Sequence, residues 1–417
     1  MSAYPITLKV TIDFSNGAVF GTTLILDDPD YGQLEYNVLG DTASQIVDVT
    51  STTTNISIKR GYNLLQDQFE VGQCTFRVVD PNAYFNPQNT ASPYYGKLLP
   101  LRKVKISGTY SGTTYTLFSG YIESYNYTYP KDQDTGFVQI VCNDGFRLMN
   151  MTNITSVTGA ANGNSTGTRI NQILDQISWP ASMRNVATGD NLVQNDPGTA
   201  RQALPSLKNV EFVEQGAFYC DPDGNAIFKS RTQVLAAAGA TATVFNNDGS
   251  TGINYSGVTF ANDDKLVINS ASFQRIGGTA QTASDSTSIA TYFPHSIQQT
   301  NLVGYNDTDM LNAALSYVAT RKDTTIRIDS LTLDLTTPSY GSGVIAALSL
   351  DYFSPVSITN YQQAGTVLTK SLEIVGVQHE ISPNSWKTTF TTSEPIIDGF
   401  ILNSSIYGIL DTSVLAY

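Results

Sequence analysis

The segment ISIKRGYNLLQDQFEVGQCTFRVVDPNAYFNPQNTASPYYGKLLPLRKVKISGTYSGTTYTLFSGYIESYNY, Ile56 to Tyr127, decides the fold class, and GFVQIVCNDGFRLM at 136–149 completes it. Apolar and polar residues alternate in it, as at Ile56/Ile58, Val104/Ile106 and Val138/Ile140. Successive side chains of a strand point to opposite faces, so each run buries one face of a sheet. Between the runs fall Gly61, Gly72, Asp80-Pro81-Asn82, Asn86-Pro87, Pro93, Gly96, Ser111-Gly112, Gly120 and Pro130, each expected to end one strand before the next. Ser111-Gly112, between Val104/Ile106 and Tyr115/Leu117, predicts a hairpin.

The ordered set Asp48-Val49-Thr50, Ile56-Ser57-Ile58-Lys59-Arg60-Gly61, Asn89-Thr90-Ala91-Ser92-Pro93-Tyr94-Tyr95-Gly96, Leu117-Phe118-Ser119-Gly120 and Asn143-Asp144-Gly145 resembles minor tail proteins of long-tailed bacteriophages. That family is similar in architecture to the baseplate hub proteins of contractile tails. One departure is Asp80-Pro81-Asn82-Ala83, where the family commonly has an Asn-x-Asp-Gly turn. The resemblance implies two similar tube-forming β-barrels in one chain. It extends to Gly376-Val377-Gln378-His379-Glu380-Ile381 with Pro383 and Trp386, which look like the closing strands of the second barrel.

The chain of 417 residues carries 23 Lys+Arg against 36 Asp+Glu, a net charge of -13. That balance argues against a nucleic-acid grip, which rests on basic residues neutralising phosphate. Cys74, Cys142 and Cys220 have neither a paired nor a metal-binding spacing and are expected to be buried free thiols. The first thirty residues show no basic then apolar leader, and no run reaches the roughly 20 apolar residues of a membrane span, so a soluble protein made in the host cytoplasm is expected.

The expected fold is mainly β with an α+β insertion. It comprises a first barrel-like domain at 1–150, a mixed insertion at 151–260, a second barrel-like domain with one helix at 261–395, and a docking arm at 396–417. Strands are predicted at 6–12 and 21–26, then an acidic turn at Asp27-Asp28-Pro29-Asp30 that reads as a solvated loop. Residues 151–167 read as a long loop. Ile170, Ile173, Leu174 and Ile177 predict an amphipathic helix over 168–178, stopped by Pro180. Helical character at Leu204, Leu207 and Val210 is expected to break at Pro205. Asp221-Pro222-Asp223-Gly224 predicts a hairpin turn rather than a calcium loop, because its glycine comes too early and no Glu closes it. The strand pattern restarts at Val267-Ile268-Asn269. A helix capped by Asn306 follows, with Leu311, Ala314, Leu315 and Val318 facing one way and Arg321-Lys322 at its end.

The two ends of the chain rhyme. Leu99-x-Leu101, Val104-x-Ile106, Gly120-Tyr121-Ile122, Pro130 and Phe137 to Cys142 are echoed by Leu348-x-Leu350, Val356-x-Ile358, Gly376-Val377, Pro383 and Trp386 to Thr391. A shorter echo, Ile401 to Ile406 against Ile409 to Val414, marks the docking arm.

Catalytic chemistry finds little support. Only His295 and His379 are present, and neighbours such as His379 and Glu380 in a strand point to opposite faces. There is no Gly-x-Ser-x-Gly, His-Glu-x-x-His, phosphate loop or Cys-x-x-Cys. No catalytic, cofactor-binding or metal-binding residue is therefore assigned. Tyr125, Tyr127 and Tyr129 read as packing at sheet faces or subunit contacts rather than sugar platforms.

The resemblance implies a non-enzymatic virion protein of the tail tip: a homotrimer that adapts a sixfold tail tube to a threefold tip and conducts DNA without holding it. Implied partners are a distal tail protein or tail tube above, a spike, fibre or other tip protein below, and a tape measure protein in the lumen. The alternatives are a hexameric distal-tail ring and a tail-associated carbohydrate-binding or depolymerising protein. Hubs with lytic domains carry them after the second barrel, whereas this sequence stops at Tyr417. Residues 261–417 hold 14 Asp+Glu and 7 Lys+Arg, and residues 1–150 hold 14 and 10, so an anionic lumen is expected, more so in the second barrel, with Arg102-Lys103-Lys105 outside it or paired.

Overall fold

The alternating runs become strands because each has one apolar face to bury and a neighbour to hydrogen-bond. The computed structural model describes residues 6–15, 45–64, 66–129, 135–249, 252–336, 341–362 and 365–395, with two short parallel strands at Thr22–Thr23 and Asn37–Val38. The acidic turn at 27–30, Pro130, most of the strand expected at 21–26 and the arm at 396–417 lie outside the described residues.

The fold is mainly β. Its largest element is a 15-stranded, mostly antiparallel sheet to which both halves of the chain contribute. From the first half come β1 (Thr7–Asp13), β2 (Thr53–Asn63), β3 (Gln73–Val79), β4 (Lys103–Tyr110), β5 (Thr113–Thr128) and β6 (Phe137–Asn143). From the second come β7 (Thr243–Asn246), β8 (Gly257–Ala261), β9 (Arg327–Asp334), β10 (Pro355–Tyr361), β11 (Val367–Ser382) and β12 (Ser385–Ser393). Spatial order is β2-β3-β6-β5-β4-β1 in the first half and β8-β9-β12-β11-β10-β7 in the second, joined where β2 pairs with β11. The expected hairpin at Ser111-Gly112 links β4 to β5, with both residues at positive φ (49° and 84°) as a tight two-residue turn requires.

Gly61 and Gly120 do not end strands as expected; both lie inside them. Their role is close approach, since a Cβ on Gly120 would sit 2.4 Å from the Asn143 carbonyl oxygen and one on Gly61 would sit 3.1 Å from the Gly376 Cα.

Besides the large sheet and three two-stranded pairings, the described residues form two three-stranded sheets. Arg184–Val186, Ala226–Lys229 and Ala217–Cys220 form one, whose Ala217–Cys220 and Ala226–Lys229 pair is the hairpin expected at Asp221-Pro222-Asp223-Gly224. The turn is held by Asp221, which accepts from the Asn225 backbone and side chain at 2.8 and 2.9 Å. Gln281–Ser284, Ser270–Arg275 and Ser296–Leu302 form the other, so the pattern restarting near Val267 enters a side sheet.

Helix α1 (Thr166–Gln176) starts at Ser165, whose hydroxyl accepts from the Thr168 N–H, and buries Ile170, Ile173 and Leu174. Helix α2 (Ala203–Glu214) runs through Pro205 unbroken. Pro205 is the third residue, in the first turn, where the missing N–H would have had no helical acceptor. Helix α3 (Asp307–Arg321) is capped by Asn306 as expected, but its buried face is Met310, Ala314, Tyr317 and Val318, with Leu315 exposed. The side sheet selects that face: Phe273 meets Tyr317 edge-on at 5.6 Å.

Candidate functional site

The two halves of the large sheet share one strand order and, over the rows that follow, one register. A row across the first half reads Ile56, Phe76, Ile140, Tyr125; the matching row across the second reads Val258, Leu331, Phe390, Val377. One row along come Ser57, Thr75, Val141, Ser124 against Thr259, Ser330, Thr391, Gly376. Even irregularities repeat. Leu101 and Phe353 both have left-handed backbone (φ 65° and 64°), and each donates its N–H at 2.7 Å, to the carbonyls of Ile122 and Ile374. The ladder then skips Glu123 in β5 and Val375 in β11, the same bulge at the same separation along the chain. The expected rhyme is thus real at Val104/Val356, but Gly120 is not the counterpart of Gly376, a place held by Ser124, and Leu101 answers Phe353 rather than Leu350.

Where β2 meets β11 the halves are fused. Gly61 faces Gly376, Ile58 faces His379 and Ile56 faces Ile381. His379 is buried, its Nδ1 2.9 Å from the Thr388 hydroxyl and its ring edge-on to Trp386, and burial pushes its pKa down to about 3. It is neutral at any physiological pH. Glu380 points the other way, accepting from Ser57 at 2.6 Å and Gln378 at 2.8 Å. The strand geometry therefore separates the pair. His295 is part of a loop lock, its ring Nε2 3.0 Å from the Tyr292 carbonyl and its N–H bonded to Asn269.

A buried polar seam joins the sheet to the small sheet at 184–229. The Arg60 guanidinium donates to Asp351 at 2.8 Å and lies over the Tyr352 ring. Asp144 accepts from the Gly72 and Phe146 N–H groups, and Lys208 pairs with Glu211 at 2.8 Å. Burial raises the Asp144 carboxyl to about 7, Asp221 to about 6 and Glu373 to about 8; the last has one oxygen without a hydrogen-bond partner. All three keep their protons to higher pH in the fold than in the unfolded chain, which releases them near ordinary carboxylate values. Stability from this source is therefore full at low pH and is lost as pH rises, for Glu373 from about 4.5 to about 8. Glu373→Gln should flatten that decline, gaining thermal stability over wild type at pH 8 and little at pH 5. Equal slopes in melting scans at the two pH values would contradict this assignment.

The opposite face of the sheet carries Asn55, Ser57, Thr75, Gln139, Asn126, Thr389 and Thr391, together with Lys59 and Arg77, and with Lys387 facing Glu380 and Asp334. Hydroxyls and amides dominate it, and its charges are mixed rather than acidic. Of the basic cluster, Arg102 is buried with its Nε bonded to the Lys97 carbonyl, and Lys103 lies across from Asp13. Cys74, Cys142 and Cys220 are buried free thiols, the first two directly opposed on β3 and β6. Tyr125 and Tyr129 are half-buried, bonded to Leu99 and Asp80, whereas Tyr127 is 46% exposed. Among the described residues no group of three His, Cys, Asp or Glu side chains is arranged to hold a metal, and no helix is long and apolar enough to cross a membrane.

No protein-family model matches the chain, and no curated protein matches it. Solved structures do. The tail protein from Neisseria meningitidis MC58 matches over 84% of this chain and 94% of its own, with a TM-score of 0.56 and 10% identity. The 43 kDa tail protein of prophage MuSo2 from Shewanella oneidensis matches over 94% of this chain and 99% of its own, with a TM-score of 0.55 and 12% identity. The chain has the fold of phage and prophage tail proteins. This tail-protein fold takes in the small sheets as well as the large one, since the MuSo2 likeness runs over nearly the full length.

Proposed function

We propose that the chain is a structural protein of a phage tail tip, a hub whose three copies close a ring of six similar modules. The observation that carries this reading is the internal repeat of the large sheet, in a chain whose fold matches tail proteins over 84% and 94% of its length. The first module is the barrel-like unit of 1–150. The second draws its strands from 243–261 and 327–393, with the small sheets inserted around it. A threefold ring of such chains seats on a sixfold tube and offers threefold symmetry to a spike or fibre below. The hydroxyl- and amide-rich face of the sheet would line the conduit, giving DNA few fixed cations to bind. The role is adaptor and conduit, without a bond broken.

Gold-labelled antibody to the chain should decorate the distal end of the tails of particles that carry it, and the purified protein should degrade neither host polysaccharide nor peptidoglycan. Label along the tail shaft or on the capsid, or polymer cleavage by the purified protein, would overturn the reading.

A further inference from the structure

The internal junction has a counterpart that is open. In the second half, the C-terminal part of β11 is flanked by β12 on one side and β2 on the other. In the first half the equivalent part of β5, Glu123–Thr128, is flanked by β6 alone among the described residues. Likewise β2 is held between β3 and β11, whereas its counterpart β8 pairs, among the described residues, with β9 alone. Burial follows the same division. Ile58 and His379, facing each other at the closed junction, are 0% and 3% exposed, while their counterparts Phe260 and Tyr127 are 37% and 46% exposed. Two apolar residues therefore stand on two strand edges that are unpaired among the described residues, each edge a template for another strand.

We propose that β8 of one copy pairs antiparallel with Glu123–Thr128 of the next, in the register copied from the closed junction. Ile58 facing His379 becomes Phe260 facing Tyr127, and Ile56 facing Ile381 becomes Val258 facing Tyr129. The inference rests on the ring reading and specifies its contact: junctions within a chain alternate with junctions between chains, and both use the same strand pair. The occupant is a second copy because the chain already supplies a matching strand for each edge, yet within one chain β9, β12, β11, β2, β3 and β6 stand between β8 and β5 in the strand order.

The test mixes two single variants, Tyr127→Cys and Phe260→Cys, both at exposed positions, and treats them with a short bismaleimide. Covalent dimers should form in the mixture and not with either variant alone, and the double variant should give bands ending at the ring's copy number. Tyr95→Cys, also exposed, replaces Tyr127→Cys in the control and should give none. The native mass of each variant is measured in parallel. Multi-copy particles without the 127 to 260 link would overturn the edge assignment and leave the ring standing. Single-copy particles would overturn both, and linkage within one chain would show that the edges meet each other.

Discussion

Glu214→Ala should cost the fold about 3 to 5 kcal/mol, because it strips the partner from a group of buried donors at once. Glu214 is fully buried at the end of α2. Its carboxylate accepts from the Thr166 hydroxyl at 2.7 Å and from the backbone N–H groups of Asp190, Asn191 and Arg231 at 2.8, 3.0 and 3.2 Å. One side chain thus pins the start of α1, the loop after Arg184–Val186 and the segment that follows Ala226–Lys229. Glu214→Gln should recover only part of the loss, since one of its two polar atoms becomes a donor facing donors. Denaturant titration gives the magnitude, and limited proteolysis should show new cuts near 187–191 and 230–232. A loss below about 1 kcal/mol for the alanine variant would mean that water or rearrangement replaces the carboxylate.

Trp386→Ala should cost a similar amount, about 3 to 5 kcal/mol, through the cavity left by a large aromatic. The indole is fully buried on β12, edge-on to His379, and its far end lies against Gly108 of β4, where an added Cβ would come within 3.3 Å of the ring. It therefore packs across the two halves of the sheet. The unfolding midpoint should drop while the native mass of the folded fraction stays unchanged, because no edge strand is touched. Trp386→Phe should lose less. An alanine variant as stable as wild type would contradict the packing described.

Much of the fold was legible because strand alternation depends only on near neighbours. The runs at 56–58, 104–106 and 138–140 became strands, and the turns at 111–112 and 221–224 became hairpins, since glycine and aspartate dictate those turns locally. Asn306 announced its helix by capping, and the spacing of Ile170, Ile173 and Leu174 announced another, whose Ser165 cap went unread. What the sequence concealed depends on distant partners. Gly61 and Gly120 look like strand breakers, yet they are sites where another backbone comes close. Pro205 looks like a helix breaker until its first-turn position is known. Strands β7 and β8 lie in a stretch read as insertion, because short runs such as Thr243–Asn246 carry too few residues for a period to show.

The candidate site was legible in part. The rhyme between the chain's ends pointed to a repeat, but matching glycines shifted it, because Gly376 is required by Gly61 at a junction that only one half of the chain contains. The tyrosines at 125, 127 and 129 were placed at sheet faces or subunit contacts, and of these Tyr127 stands at an open edge.

The most direct test of the ring is the native mass of the purified, untagged chain at physiological salt. Three chains per particle, unchanged on dilution through the micromolar range, is the predicted result. A single chain, or a stable particle of six chains as in a distal-tail ring, would contradict it.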